Sequence, residues 1–212
     1  MKSDALVPSK RPDLYDQDLP EDRFRHYMSK AVITVDTETR GLNVLRDRLC
    51  LVQMCDDEGT VSLVRYRNAS APRLKELLAA QSPLKVFHFA RFDLAVLKHY
   101  LNCDVKPIFC TKVASKLVRT YTDRHSLKDL GRELLSLEMD KTDQSSDWAR
   151  PDLSESQLEY AANDVRLLIP IYKQMAALLE REGRAELAER LFKALPVVAE
   201  VDVGGWKDIF EH

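Results

Sequence analysis

The chain has 212 residues, 45% of them apolar and 31% charged, a balance that excludes a disordered or fibrous protein. Against 34 acidic residues stand 32 lysines and arginines, a net charge of −2, so long nucleic acid is not held here by overall positive charge. A length of this order predicts one domain with a core large enough to fold without disulfide or zinc.

The first thirty residues are polar and proline-bearing and predict an extended or partly ordered arm. Its start, MKSDALVPSKRPDL, has no apolar h-region and does not read as a secretory signal. From Ala31, AVITVDTE reads as a buried strand ending in acidic residues. RLCLVQMC and TVSLVRY follow around the turn signal DDEG, and the three runs predict an antiparallel meander. Residues 72–81 predict a helix with Pro72 in its first turn, LKVFHF a short strand, and ARFDLAVLKHYL a helix behind it.

Beyond about residue 110 the pattern is almost wholly helical. CTKVASKLVRTY predicts one helix and SLKDLGRELL another, with Ser126 as N-cap. A long helix spans 153–183, opening on Ser154 and Gln157 in capping-box spacing, with Pro170 expected to kink it and Gly183 to stop it. Strands first and helices after predict a mixed α/β domain over residues 31–212, with 196–212 as a C-terminal extension suited to a subunit contact. No apolar run approaches the roughly 20 residues of a membrane helix. The four cysteines, Cys50, Cys55, Cys103 and Cys110, form no CxxC pair and predict reduced thiols in a cytoplasmic protein.

Three acidic groups stand where chemistry can use them. Asp36 and Glu38, two apart on a strand, share one face. Asp93 lies early in the helix behind a buried strand, and Asp164 follows Tyr160 by four residues on one helix face. The bland alternatives are solvated strand-end acids, a first-turn acid facing the helix dipole, and a surface ion pair. Against them stand the apolar neighbours of each group, because a buried carboxylate must be paired, protonated or metal-bound. Four oxygen donors with a formal charge of −4 suit two hard divalent cations, Mg²⁺ or Mn²⁺, and not zinc. Two such ions about 4 Å apart can activate water and stabilise the leaving oxygen of a phosphodiester. Tyr160 is placed to orient that water, and an ordinary phenol of pKa near 10 is a poor general base.

At these residues the chain resembles the DEDD superfamily of 3′→5′ exonucleases. VDTET is similar to its first motif (Asp36, Glu38), HFARFD to its second (Asp93), and YAANDV to the tyrosine form of its third (Tyr160, Asp164). That form marks the DEDDy, RNase D-like branch. Within it, RDRLCLVQ, FHFARFDLAVL, FCTKVASKLVRTYTDRHSLK, QSSDW and GWKDIF resemble the short bacterial nanoRNase C family.

The resemblance implies a DnaQ-like, ribonuclease H-type fold with a mixed central sheet flanked by helices. It implies two Mg²⁺ or Mn²⁺ ions, with Asp36, Glu38, Asp93 and Asp164 as ligands, and release of 5′-mononucleotides from a 3′ end. Dinucleotides and short oligoribonucleotides are the implied substrates, in the final step of RNA degradation, and a ring-shaped homo-octamer is the implied assembly. A broader RNase D-like action on longer RNA or on DNA 3′ ends is the alternative. A silent binding or assembly module on the same fold is disfavoured because every ligand and the tyrosine are present.

Around this centre, Leu42 is suited either to wedge between two bases or to join the core. Thr37 offers its backbone to a terminal ribose. His88 and Phe92, flanking Asp93, suit a phosphate or ribose contact and a stacked base, or else core packing. Lys112, Lys116, Arg119, Arg124, His125 and Lys128 form the one basic stretch, a solvated face or a phosphate or subunit contact. Trp148 reads as a packing anchor and Trp206 as an anchor on its own domain or on a neighbouring subunit.

Overall fold

The computed structural model describes residues 11–138, 146–206 and 209. Its strands are β1 (Asp13–Asp16), β2 (Val32–Thr39), β3 (Leu49–Asp56), β4 (Val61–Arg65), β5 (Leu84–Phe87) and β6 (Ile108–Cys110). They form one sheet in the order β1-β4-β3-β2-β5-β6. The helices are α1 (Glu21–Met28), α2 (Pro72–Ala79), α3 (Ala90–Leu101), α4 (Thr111–Val118), α5 (Leu127–Leu135), α6 (Glu155–Arg181) and α7 (Ala185–Val203).

The expected meander is present, since β2 pairs with β3 and β3 with β4, both antiparallel. Its second turn is set by Asp56, whose Oδ1 accepts from the backbone N–H groups of Glu58 (3.0 Å) and Thr60 (2.9 Å), with Gly59 at φ 79°. The β5 and β6 strands extend the other side of β2 in parallel, each reached by a helical crossover.

Every residue of β3 is buried, so the centre of the sheet is covered on both faces. Side chains alternate along a strand, and two cores result. Val52 and Met54 join the larger one with Leu74 and Val96, while Leu51 and Cys55 pack against Ala161 and Val165 of α6. Thr34 Oγ1 donates to the Val165 carbonyl at 2.7 Å and fastens α6 across β2. By the same alternation, Asp36 and Glu38 share the face of Thr34, toward α6.

Of the arm expected to be extended or partly ordered, residues 11–30 are ordered. They hold β1, which pairs in parallel with β4 at the sheet edge, and α1. Leu19 and Tyr27 are fully buried, and the Tyr27 hydroxyl donates to Ser62 Oγ at 3.0 Å. Residues 1–10 of that arm, Gln144 and Ser145 of QSSDW, and Lys207, Asp208 and Phe210 of GWKDIF lie outside the described residues.

The helix expected over CTKVASKLVRTY stops at Val118, because Arg119 turns its buried guanidinium back onto Ser115 Oγ (2.9 Å), the Arg124 carbonyl (2.6 Å) and Glu133. Residues 196–203, expected in an extension, continue α7 through Pro196, and Asp202 accepts two bonds of 2.7 Å from Arg91. Pro170 lies inside α6, which continues to Arg181, and Gly183 at φ 64° follows its end. The four cysteines are buried and free of disulfides. Among the described residues no helix is long and apolar enough to cross a membrane.

Ser126 caps α5 as expected and forms a capping box with Asp129, and the box expected at the start of α6 forms as well. Ser154 Oγ accepts from the Gln157 N–H at 3.2 Å while Gln157 Oε1 accepts from the Ser154 N–H at 2.9 Å. Ser154→Ala is therefore expected to cost about 1 kcal/mol, a fall of roughly 2–4 °C in melting temperature for a domain of this size. Scanning calorimetry checks it, and an unchanged midpoint would show that the cap contributes nothing to α6.

Candidate active site

Three elements meet at one end of the sheet: β2 with Asp36, Thr37 and Glu38, the first turn of α3 with Asp93, and the second and third turns of α6 with Tyr160 and Asp164. Carboxylate oxygens of Asp36, Glu38 and Asp164 all lie within 4.8 Å of one another. Asp93 stands beside this triplet and is tied to it through Thr37, whose Oγ1 donates to Asp93 Oδ1 at 2.6 Å. The Thr37 hydroxyl is thus spent on a neighbouring acid, and its backbone N–H supports both Asp36 and Asp93.

The electrostatics are those of crowded acids away from water. Desolvation pushes the Asp36 carboxyl up to about 6. Burial raises Glu38 well above its ordinary value, and the charges of Asp36, Asp164 and Asp93 raise it further. Asp93 is raised by burial and then by Asp36. Tyr160 is raised by burial first and then by Asp164 and Glu38, and it is hydrogen-bonded to Asp164. Among the described residues no lysine or arginine is ion-paired with Asp36, Glu38 or Asp93. The all-oxygen donor set, with no lysine or arginine ion-paired to these three acids among the described residues, fits a hard divalent cation.

A second cluster gives the contrast. His26, Asp56 and Glu58 also bring ligand atoms within 4.8 Å of one another. There the Lys30 ammonium pairs with Glu58 and lies 3.8 Å from Asp56, so one lysine already offsets part of that charge.

A cleft of about 660 Å³ opens over the acidic centre, and Thr37, Leu42, His88, Phe92 and Tyr160 all line it. Leu42 is 87% exposed at its rim and is no part of the core. His88 bonds Thr111 Oγ1 through Nδ1 at 2.9 Å and is also bonded to the His125 backbone. Desolvation carries its pKa down to about 3, so it is a neutral, clamped ring at physiological pH. The basic stretch divides, since Lys112 and Lys128 face the cleft whereas Arg119 is buried against Glu133. Trp148 is the anchor expected of it, buried beside Tyr160 with ring centroids 6.0 Å apart.

Two contributors escaped sequence reasoning. Phe89, in the left-handed region at φ 66°, carries the Lys112 ammonium 4.1 Å above its ring at the mouth of the cleft. Gln53 Nε2 donates to Asp36 Oδ2 at 3.3 Å. The only signal for it was its place in the strand that pairs with the acidic one.

The α/β fold and the acidic centre at the floor of its cleft define an exonuclease-type domain. The profile described as 3′-5′ exonuclease matches residues 14–180, and the chain belongs to that family. Ribonuclease D of Nitrobacter hamburgensis is 34% identical over 156 residues, 73% of this chain and 41% of that protein. DNA polymerase I of Aquifex aeolicus is 38% identical over 159 residues, 75% of this chain and 26% of that protein. The chain thus spans well under half the length of these relatives.

Brucella melitensis NrnC with bound Mg²⁺ superimposes at a TM-score of 0.89 and 45% identity, over 96% of this chain and 100% of that one. The same protein bound to pGG superimposes equally well, at 0.89 and 46% identity over the same shares. The DnaQ-like fold and the RNase D-like kinship expected from the three motifs are therefore present.

Proposed function

We propose that the chain is a metal-dependent 3′→5′ exoribonuclease that hydrolyses dinucleotides and short oligoribonucleotides to 5′-mononucleotides, the last step of RNA degradation. The acidic centre carries this reading: oxygens of three carboxylates converge within 4.8 Å, a fourth stands beside them, and no ion-paired lysine or arginine balances Asp36, Glu38 or Asp93 among the described residues. Asp36, Glu38, Asp93 and Asp164 would hold two Mg²⁺ or Mn²⁺ ions, which supply water activation and charge stabilisation at the leaving oxygen. Tyr160, kept protonated by burial and by its acidic neighbours, orients the attacking water and does not remove its proton. Thr37 holds Asp93 in place, and the exposed Leu42 and the ring of Phe92 flank the bases.

Short substrates are favoured by size and charge. A cleft of about 660 Å³ falls within the roughly 300–1,000 Å³ of small-molecule sites, and a net charge of −2 offers no long phosphate track. The similar NrnC of B. melitensis bound to pGG supports the same reading. A homo-oligomeric ring belongs to the proposal through the resemblance, and light scattering tests it.

The deciding experiment is a competition in Mg²⁺ between a 5′-phosphorylated dinucleotide and an RNA of about twenty nucleotides at equal concentration. The dinucleotide is expected to be consumed faster by about tenfold or more in kcat/KM. The reverse order would favour the broader RNase D-like activity on longer RNA, and the same assay with a DNA strand tests the DNA alternative.

A further inference from the structure

We propose that Gln53 is a positioning residue of the acidic centre, its side-chain amide fixing the orientation in which Asp36 presents its carboxylate to a divalent cation. The inference rests on the metal-dependent reading above. In the antiparallel pairing of β2 with β3, Gln53 stands directly opposite Asp36. Its Nε2 donates to Asp36 Oδ2 at 3.3 Å, and the residue is completely buried.

A glutamine is an expensive choice here. Its neighbours on the same strand face, Leu51 and Cys55, belong to an apolar core with Ala161 and Val165, and Gln53 Oε1 lies buried with no hydrogen-bond partner. A methionine would fill the same space without leaving an acceptor unsatisfied. A half-satisfied amide kept in such a place serves something other than packing. Its one bond goes to an acid of the site. The last torsion of an aspartate is broad, so an untethered carboxylate would sample many orientations. Tethering Oδ2 to β3 holds the group where its oxygens converge with those of Glu38 and Asp164. Partners that orient ligands in this way tune metal affinity without touching the ion.

The test compares the unaltered protein with Gln53→Met and Gln53→Asn, all stripped of metal. Mn²⁺ affinity is read by calorimetric titration, metal-free stability by thermal melting, and dinucleotide hydrolysis as a function of Mn²⁺ concentration. Gln53→Met is expected to bind Mn²⁺ about 10–100-fold more weakly and to need correspondingly more metal for half-maximal rate. Its metal-free melting temperature should be unchanged or higher. A purely structural glutamine would do the opposite, lowering the melting temperature and leaving Mn²⁺ affinity untouched, and that result would overturn the assignment.

Should Gln53→Met fail to fold, Gln53→Asn keeps a buried amide one methylene too short to reach Asp36. It is expected to show the same loss of affinity, and unchanged Mn²⁺ binding would overturn the assignment. If the unaltered protein takes up no Mn²⁺, the metal-dependent reading falls and this inference falls with it.

Discussion

Asp36→Asn and Asp164→Asn are each expected to lower kcat/KM by at least about a thousandfold, equivalent to roughly 4 kcal/mol of transition-state stabilisation, while the fold survives. For Asp36→Asn in EDTA at pH 7, the melting temperature should rise above that of the unaltered protein. The sign follows from the direction of the shift. Asp36 titrates near 6 in the folded chain against an ordinary 3.8, so folding disfavours its charged form. Its contribution to stability is intact at pH values below 4 and is lost as the pH rises through 6. Asparagine removes that penalty along with the ligand. The stability gain should therefore be large at pH 7 and close toward pH 4, and saturating Mn²⁺ should reverse it. Calorimetry across that pH range and a kinetic assay with Mn²⁺ check both halves. Substantial retained hydrolysis would remove Asp36 and Asp164 from the reaction.

Tyr160→Phe should reduce kcat by about a hundredfold, the lower end of the range for a group acting on a proton-transferring water, with KM shifted by far less. The ring would keep its packing against Trp148, and only the hydroxyl on Asp164 would go. Because burial and the adjacent acids push the phenol above its ordinary 10, its ionisation should leave no alkaline limb in the pH–rate profile near neutrality. Single-turnover and steady-state kinetics separate the two parameters. An unchanged kcat would leave the hydroxyl without a role in turnover.

Most of this centre was legible in the chain because its signals are local. Alternation and a turn around DDEG mark the meander, and Ser-x-x-Gln marks the start of α6. Acids set among apolar residues mark the site. The misreadings share one cause, which is contact between distant segments. β1 is four mostly exposed residues, and its strand character comes from backbone pairing with β4, about fifty positions away. No pattern in DLYD announces that partner.

The same holds for α4, which ends where Arg119 meets Glu133 across a loop. Leu42 was open between core and rim. It is on the rim because Gly41 lets the chain turn tightly over Asp47, whose carboxylate occupies the place a Cβ on Gly41 would take. His88 reads from sequence as a phosphate or ribose contact or else as core, and the folded chain shows its ring lining the cleft and bonded to Thr111.

The bond between Thr34 and Val165 joins groups 131 positions apart. Two of the acids and their threonine are made long before Tyr160 and Asp164. A nascent chain therefore carries half a centre with nothing to close it. Until α6 has been made and has packed across β2, the acids of β2 and α3 have no Asp164 to converge with.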